Sequence, residues 1–480
     1  MKKTIFTALV AILATLSSCE EWLSVKPQTT VEASDLFKNE AGFKDALWGV
    51  YTRMTSTSLY GRELTFGMVD VIGQIYYNAG SSSSYSYNNL KSYNYTHATA
   101  EAVINAAWSG MYTTIANINN LVDNLRAVDR GMFDGEHYNV ILGEALALRA
   151  YLHFDLLRLF APSYLVGASQ PAIPYVKEYT FRTTPLSTVE QVIALALEDL
   201  AEAEGLLKAS DPIYTGAEVD EEDALLLRRY FHLNYYAVKA VQARVHLYKG
   251  DLAKAGACAL EVINSGKFTW TPVSSIAVVD VATRDRTFSP EQVFALQVQN
   301  METNIADRLT ETIYVSYRLV FNDSYLNRRY PAATHANDWR RLYYWSDVIM
   351  ATNGYRFCNK LWQVEEMTAD FAKRMPLVRL PELYLIAAEA DIANAATYLN
   401  VIRENRGVLV PVTATAEEDL RAEIKMEYLR EFACEGLVFH YYKRVNATAI
   451  DGLSGTFNTA NYLLPVPKEE IEYGQREQQP

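Results

Sequence analysis

Cysteine and histidine are scarce in this sequence, which restricts the metal and redox chemistry open to it. The 480 residues include four cysteines and seven histidines. Cys258, Cys358 and Cys434 lie far apart and no CxxC pair occurs, which argues against a zinc ribbon or a redox-active pair. Cys258 and Cys434 lie in apolar helical patterns, so we predict buried, unreactive thiols there. One disulfide remains open if the chain resides in an oxidising compartment.

Net positive charge is also missing. The chain has 57 acidic residues against 44 basic ones, which gives a formal net charge of −13. Binding to nucleic acid requires a basic surface, so this balance argues against it. The balance also mildly disfavours a polyanionic ligand or an anionic membrane surface, although a local basic patch could override the total.

Recognised catalytic signatures are absent from the sequence. It has no GxSxG elbow, no HExxH, no Walker lysine loop and no GxGxxG. His153 and His440 lie in apolar helical runs, where a hydrogen-bonded core histidine is the preferred interpretation. The acidic residues supply many possible carboxylate pairs for glycoside hydrolysis, and nothing ranks one pair above another. We therefore predict no catalytic residue and no cofactor, and we assign no metal ligand; whether a loop binds a metal ion stays open.

The N-terminus has the pattern of an export signal. Lys2 and Lys3 precede an apolar run, residues 5–16, that is too short to span a bilayer as a stable helix. The run ends in Leu-Ser-Ser-Cys, which resembles a bacterial lipobox, and in such a motif Cys19 is acylated and becomes the mature N-terminus. Cleavage without a lipid is the alternative. An acyl anchor would hold the protein to a membrane without a transmembrane helix, and no such helix is predicted later in the chain.

Most of the remaining chain shows helical periodicity. Residues 144–162 are apolar nearly all round, which predicts a buried helix whose few charges are paired. Residues 235–266 predict two antiparallel helices joined at Gly250–Asp251, as in a tetratricopeptide hairpin. Ser187 with Glu190 predicts a capping box at the start of another helix. Residues 291–298 predict a strand in a region that is otherwise rich in loops.

Tyrosine is abundant, with 33 residues beside 7 tryptophans. Two segments, 70–95 and 325–345, combine aromatic rings with Asp, Asn and Arg, which suits sugars because their C–H faces stack on rings while polar groups bind the hydroxyls. Packing over the helices, or docking of a partner protein, are the alternatives for these side chains. The predicted ligand-binding residues are Asp70, Tyr76, Tyr77, Tyr85, Tyr87, Asn88, Tyr325, Arg328, Trp339 and Tyr343.

Five motifs in order resemble a known family. Residues 148–160 contain Leu-Arg-Ala-Tyr followed by Phe-Asp-Leu and Arg-Leu-Phe, which is similar to the core helix of SusD/RagB-like proteins. Residues 379–390, 399–407, 427–436 and 462–471 resemble the later hallmark segments of that family. The likeness follows a lipobox-like motif and extends over nearly the whole chain.

The resemblance implies a fold, a location and a set of partners. The expected fold is mainly α, a tetratricopeptide-like helical-hairpin scaffold with an inserted loop-rich subdomain that contains short strands. The family consists of outer-membrane nutrient-binding lipoproteins, so a surface protein is implied that is anchored at Cys19 and faces the cell exterior. Its implied partners are a glycan and a SusC-like TonB-dependent transporter. A peptide or glycopeptide ligand, a lipid-anchored glycan hydrolase, and a repeat scaffold without a small ligand remain alternatives.

These patterns also predict how the chain is divided. The predicted segments are a signal peptide (1–18), a lipid-anchored tether (19–33), an N-terminal helical repeat region (34–267) with a Tyr-rich loop (61–99), a loop-rich ligand-binding subdomain (268–375), and C-terminal helices with a closing segment (376–480).

Overall fold

A computed structural model describes residues 36–311, 313–347, 354–364, 367 and 371–474. The predicted signal peptide, the tether and the predicted lipidation at Cys19 lie outside the described residues. Within those ranges, no helix is both long enough and apolar enough to cross a membrane.

Helices account for most of the described chain. In the N-terminal half they are α1 (Glu40–Met54), α2 (Met68–Ile72), α3 (Ser86–Lys91), α4 (Ala98–Ala127), α5 (His137–Phe160), α6 (Tyr164–Gly167), α7 (Val189–Ser210), α8 (Pro212–Thr215), α9 (Tyr235–Lys249), α10 (Leu252–Asn264) and α11 (Val273–Ile276). Further along they are α12 (Met301–Leu309), α13 (Asp323–Arg329), α14 (Ala332–His335), α15 (Trp339–Tyr343), α16 (Leu380–Ala390), α17 (Ala395–Glu404), α18 (Glu417–Glu431), α19 (Val438–Arg444) and α20 (Lys468–Tyr473).

The longer helices pack in a consecutive stack. α4 packs on α5, α5 on α7, α7 on α9, α9 on α10, α10 on α16, and α16 on α17. Each helix therefore buries its apolar stripe against the next helix of the stack. Helical-hairpin repeats pack in this way. The mainly α scaffold predicted from the sequence is confirmed.

Helix α5 lies at the centre of this stack and is buried along almost its whole length, as predicted. Its charged side chains are paired. Arg149 binds Asp199 at 2.6 Å, and Asp155 binds Arg158 one turn away. Glu144 accepts hydrogen bonds from Arg229 at 2.6 Å and from the Tyr51 hydroxyl at 2.6 Å. Such pairing is what allows charges to remain inside an apolar stack, because an isolated buried charge is very costly.

The predicted hairpin of residues 235–266 is confirmed as α9 and α10. Gly250 adopts a left-handed conformation with φ of +82°, which a residue with a Cβ adopts only at a cost. The Asp251 carboxylate then accepts a hydrogen bond from the Lys254 backbone N–H at 3.4 Å and caps α10. The capping box was predicted one residue too early: Thr188 and Gln191 form it at the start of α7, because Thr188 is the residue with extended backbone there.

Buried thiols and histidines mostly follow the sequence predictions. Cys258, Cys358 and Cys434 are buried free thiols. His153 is a hydrogen-bonded core histidine, with its Nδ1 2.9 Å from the Arg149 carbonyl oxygen and its Nε2 accepting from a backbone N–H. His440 is buried too, but its Nδ1 has no hydrogen-bond partner in the part of the chain that is described, so the prediction fails for that nitrogen.

The strands are short and fall into two sheets. They are β1 (Asn78–Ala79), β2 (Gln292–Gln297), β3 (Leu319–Asn322), β4 (Tyr355–Arg356) and β5 (Arg374–Arg379). β2 pairs with β5, which confirms the strand predicted at residues 291–298. β3 lies between β1 and β4 in an antiparallel sheet. This second sheet joins the Tyr-rich segment of the N-terminal region to the loop-rich region, and it positions the candidate site.

Candidate functional site

The structure does not bring the predicted ligand residues together at one place. Tyr77 and Arg328 are exposed and pack around Tyr325, which is itself only 4% exposed. Two side chains that the sequence analysis did not single out, Tyr355 and Asp451, lie beside them. We call these five residues the Tyr77 patch. The other predicted residues lie inside the protein or on other parts of its surface.

Asp70 and Tyr76 are interior residues. The Asp70 carboxylate accepts a hydrogen bond from the Gly436 N–H at 3.0 Å, and burial raises the pKa of this carboxyl well above its ordinary value. The Tyr76 hydroxyl donates to the Phe66 carbonyl oxygen at 2.6 Å. Both side chains are fully buried. Their positions therefore do not agree with the predicted contact to a ligand.

Tyr85 and Tyr87 attach the Tyr-rich segment to its neighbours. The Tyr87 hydroxyl donates to the Glu63 carboxylate at 2.8 Å, and the Tyr85 hydroxyl donates to the Tyr317 carbonyl oxygen at 3.3 Å. The Arg308 guanidinium lies over both rings, 5.8 and 5.4 Å from their centres. Both tyrosines are buried, so these contacts support a packing role. Asn88 lies beside them on α3, half-buried.

Trp339 and Tyr343 lie on α15, against other neighbours. The Trp339 backbone N–H donates to the Arg406 carbonyl oxygen at 2.8 Å. Its indole covers Gly407, where an added Cβ would come within 2.2 Å of the Trp339 Nε1. Tyr343 borders a small cleft with Ile276. Both side chains are half-buried, and none of their described contacts is with the Tyr77 patch.

The Tyr77 patch is an exposed aromatic cluster with an arginine. Tyr77 is 42% exposed, and its ring meets Tyr325 edge-on at 5.5 Å and Tyr355 at 5.8 Å between centres. The exposed Arg328 guanidinium lies 4.6 Å from the centre of the Tyr325 ring. It also binds Asp451, 3.2 Å away. The patch therefore presents ring faces, hydroxyls and a guanidinium side by side.

The small sheet assembles this patch from distant parts of the sequence. β1 follows directly after Tyr77, and its Asn78 pairs with Val320 of β3. β3 runs into α13, where the Asn322 side chain accepts from the Tyr325 N–H at 2.9 Å and caps the helix. Tyr355 of β4 pairs with Asn322 on the other side. Each aromatic side chain is thus fixed by the strand register beside it.

Asp451 and Gly452 close the patch from the C-terminal region. Asp451 binds the buried Arg329 at 3.2 Å in addition to Arg328. Gly452 has φ of +91°, and an added Cβ would lie 1.6 Å from the Tyr325 hydroxyl oxygen. Only a residue without a side chain fits there. Burial raises the pKa of the Tyr325 phenol, with Arg329 opposing the shift, so the hydroxyl stays protonated as a hydrogen-bond donor at neutral pH.

The carboxylates at and near the patch are paired with arginines. Asp323 and Asp451 are held in ion pairs with Arg356 and with Arg328 and Arg329. Both carboxylates are therefore already engaged by guanidinium groups. In the described part of the chain, no group of three or more His, Cys, Asp or Glu side chains is arranged to hold a metal ion.

Comparison with known proteins gives a consistent picture. A family described as SusD-like, "starch-binding associating with outer membrane", matches residues 21–217. The SusD family matches residues 297–479. The SusD-like proteins P38 and P2 of Formosa agariphila are each 24% identical over 274 residues. That match covers 56% and 55% of this chain and 47% of each relative, so it spans about half the length of those curated relatives.

Solved structures share the fold over most of the chain. A SusD superfamily protein from Bacteroides thetaiotaomicron has a TM-score of 0.70 at 20% identity, covering 94% of this chain and 100% of that one. A laminarin-binding SusD-like protein has a TM-score of 0.65 at 22% identity, covering 92% and 99%. The surface glycan-binding protein A of Bacteroides fluxus has a TM-score of 0.67 at 20% identity, covering 90% and 96%. At such identities the likeness establishes the fold.

Proposed function

Because this chain belongs to the SusD/RagB-like family, we propose that it is a cell-surface lipoprotein that binds an oligosaccharide and delivers it to a SusC-like, TonB-dependent outer-membrane transporter. In this proposal Cys19 carries the lipid anchor and the protein faces the cell exterior. Binding occurs without chemical change of the ligand, so the protein is not an enzyme.

The Tyr77 patch is the observation that carries the binding part of this proposal. Sugars bind where ring faces lie beside hydrogen-bonding groups, and Tyr77 and Tyr355 supply the faces while Arg328 and the hydroxyls of the same two tyrosines supply the polar contacts. The fold neighbours include proteins described as binding laminarin or surface glycans, which favours a glycan as the ligand class.

The sheet at the patch favours a glycan over a peptide. An extended peptide gains affinity by pairing its backbone along a strand edge. The two outer strands, β1 and β4, are two residues long each, so they offer little backbone for such pairing. Peptide pools should therefore bind more weakly than glycans. A peptide that bound at the patch while every glycan failed would replace the glycan in this proposal.

Replacing Tyr77 tests the site. The Tyr77→Ala variant removes the most exposed ring of the patch, and we expect affinity for a bound glycan to fall by about 3–10-fold, the range typical of one aromatic contact. Affinity electrophoresis with β-glucans, starch, and host and microbial glycans would find the ligand, and calorimetry would measure the loss. The matched control is Tyr179→Ala, another exposed tyrosine, 53% exposed, with a described ring contact to Phe181.

Two results would overturn separate parts of the proposal. If Tyr77→Ala and Tyr179→Ala bound a glycan equally well, the patch would not be the site. If no glycan bound at all, the sugar part would be wrong. Delivery to a transporter is tested independently by detergent extraction of the membrane and identification of a large β-barrel protein that co-purifies with the wild-type lipoprotein. A Cys19→Ala variant should be lost from the membrane fraction.

A further inference from the structure

A cavity of about 840 Å³ lies apart from the Tyr77 patch. It is enclosed by the first turns of α4, the loop after α5, and the closing segment after α19. Its volume lies within the range of small-molecule sites, and it would hold one or two sugar rings. The lining residues used below are Tyr95, Asn105, Ser163, Lys443, Asn446 and Tyr462.

The aromatic walls of this cavity are held in place by hydrogen bonds. The Tyr95 hydroxyl donates to the Asn461 carbonyl oxygen at 2.8 Å. The Tyr462 hydroxyl donates to the Ala447 carbonyl oxygen at 2.8 Å. Because both hydroxyls already donate to backbone carbonyl oxygens, the two rings are held in place as walls of the cavity. A preformed wall avoids the entropy cost of ordering side chains when a ligand binds.

Lys443 is a buried cation in the lining of this cavity. This lysine is 2% exposed, and its ammonium donates to the Leu159 carbonyl oxygen at 3.2 Å. No carboxylate in the described part of the chain pairs with it. An ammonium has three donors, so one carbonyl leaves it undersatisfied. Burial, assisted by the positive charge of Arg158, lowers the pKa of Lys443 well below its ordinary value, and an anion in the cavity would relieve this cost.

The remaining polar groups of the cavity suit sugar hydroxyls. Asn105 and Asn446 are half-buried and have no described side-chain hydrogen bond, and the Ser163 hydroxyl is buried beside them. At the rim, Glu101 is already bound to Lys468 at 2.9 Å. The lining is therefore locally cationic even though the whole chain is acidic.

We infer that this cavity is a second ligand site, which binds a sugar acid. Lys443 holds the carboxylate, Asn105 and Asn446 bind ring hydroxyls, and the Tyr95 and Tyr462 rings pack against the ring faces. This inference does not depend on the glycan site at the Tyr77 patch, because it uses different residues. The competing interpretation is that Lys443 serves only to cap the C-terminal end of α5, where its charge faces the negative end of the helix dipole.

Calorimetry with simple sugars tests the inference on the purified protein. The probes are galacturonate and glucuronate, with galactose and glucose as their neutral counterparts. We expect at least one acid to bind, with its neutral counterpart about 10-fold or more weaker, since a charged hydrogen bond is lost. Equal binding of acid and neutral sugar, or no binding of any acid, would overturn the inference.

Variants separate the ligand role of Lys443 from a capping role. Lys443→Met keeps the length of the side chain and removes the charge, and we expect affinity for the acid to fall about 10–100-fold. Asn105→Ala, on a different helix, should lower affinity for the same acid even if Lys443→Met fails to fold. Tyr77→Ala, in the Tyr77 patch, and Lys254→Met, at an exposed lysine outside the lining of the cavity, should bind the acid like wild type. Unchanged binding by a folded Lys443→Met variant, or by Asn105→Ala, would contradict the proposed contacts.

Discussion

The interior around Glu431 and the Tyr77 patch contain the same kinds of side chain. Glu431, on α18, accepts hydrogen bonds from Arg340, Arg379 and Arg406 at 3.0, 2.8 and 2.9 Å. Glu291 binds Arg379 and Arg406 as well, at 3.0 and 2.7 Å. We call these five residues the Glu431 network. Aromatic rings line it too, since the Arg406 guanidinium lies 5.0 Å from the Trp270 ring centre.

Burial separates the roles of the two regions. Every member of the Glu431 network is essentially fully buried, and each carboxylate is shared by two or three arginines. In the patch, by contrast, Tyr77 and Arg328 are exposed, so ring faces and guanidinium donors remain open to a ligand. The same chemistry therefore joins the strands and helices in one place, and in the other we propose that it recognises a ligand. Variants in the two regions should separate stability from binding.

The largest expected effect is on stability, from Glu431→Gln. This change removes the negative charge that three buried guanidinium groups share. Breaking a buried ion pair by removing one partner costs about 3–5 kcal/mol. We expect the free energy of unfolding to fall by that amount, measured by guanidinium or heat denaturation, without a change in glycan affinity for the molecules that remain folded.

The matched control is an exposed glutamate in a pair of similar geometry. Glu417 binds Arg421 at 2.7 Å, and its side chain is 63% exposed. Surface pairs contribute about 0–1 kcal/mol, so Glu417→Gln should be nearly silent. Equal losses from Glu431→Gln and Glu417→Gln would mean that burial does not distinguish the network, and the comparison would fail.

Acid should weaken the buried pairs next. The charge of Arg340 outweighs the effect of burial and lowers the pKa of Glu427 to about 2, and the pKa of Glu431 lies well below its ordinary value of 4.5. At Glu144, burial alone would raise the pKa, but the charge of Arg229 outweighs it and lowers the pKa to about 2. Because these carboxyls bind protons more weakly in the folded state, their stabilisation is full above about pH 5 and is lost as the pH falls towards 2.

Unfolding midpoints between pH 7 and pH 3 would measure this dependence. Glu427→Gln removes one of the titrating groups, so its stability should fall less steeply with acid than that of wild type. Tyr77→Ala should keep the wild-type slope, because Tyr77 is not part of any of these ion pairs. A stability that does not change from pH 7 to pH 3 would contradict the assignment of the low pKa values to the buried carboxyls.

The sequence was informative where the pattern is local. Helix α5 could be predicted because its apolar residues recur through every turn, and the pairing of its charges follows from the cost of burying them. The hairpin of α9 and α10 could be predicted because Gly250 and Asp251 mark the turn. The capping box was misplaced by one residue, because Ser187 and Thr188 both suit the position and only the backbone conformation distinguishes them.

The candidate site was only partly predictable because its contacts are non-local. Tyr76 and Tyr77 are neighbours in the sequence, yet they differ in exposure. Tyr76 is fully buried, with its hydroxyl donating to a backbone carbonyl oxygen, whereas Tyr77 is 42% exposed. Tyr355 was missed because only the pairing of β4 with β3 brings it to Tyr77. Asp451 was missed because its role depends on arginines more than a hundred residues away. The Asp451–Gly452 pair, which is a common turn sequence, was the local signal at this position.

Two glycines in the closing segment give the finest test of the comparison. Gly452 and Gly455 both have positive φ, +91° and +84°. An alanine at either position should cost about 1 kcal/mol or somewhat more of backbone strain. The Cβ at Gly452, however, would meet the Tyr325 hydroxyl, whereas the Cβ at Gly455 meets nothing within 4 Å. Gly452→Ala must therefore displace Tyr325, and Gly455→Ala leaves the patch intact.

We expect both variants to lose the stability that backbone strain costs, and Gly452→Ala to lose more in heat denaturation because it also displaces the buried Tyr325. The folded proteins should also differ in glycan affinity. Tyr325 contacts both Tyr77 and Arg328, so its displacement disturbs several members of the patch at once. Calorimetry with the glycan that wild type binds should show weaker binding by Gly452→Ala than by Gly455→Ala. If the two variants bound that glycan alike, the geometry of Tyr325 would not matter to recognition, and the ligand would contact only the outer ring faces of Tyr77 and Tyr355.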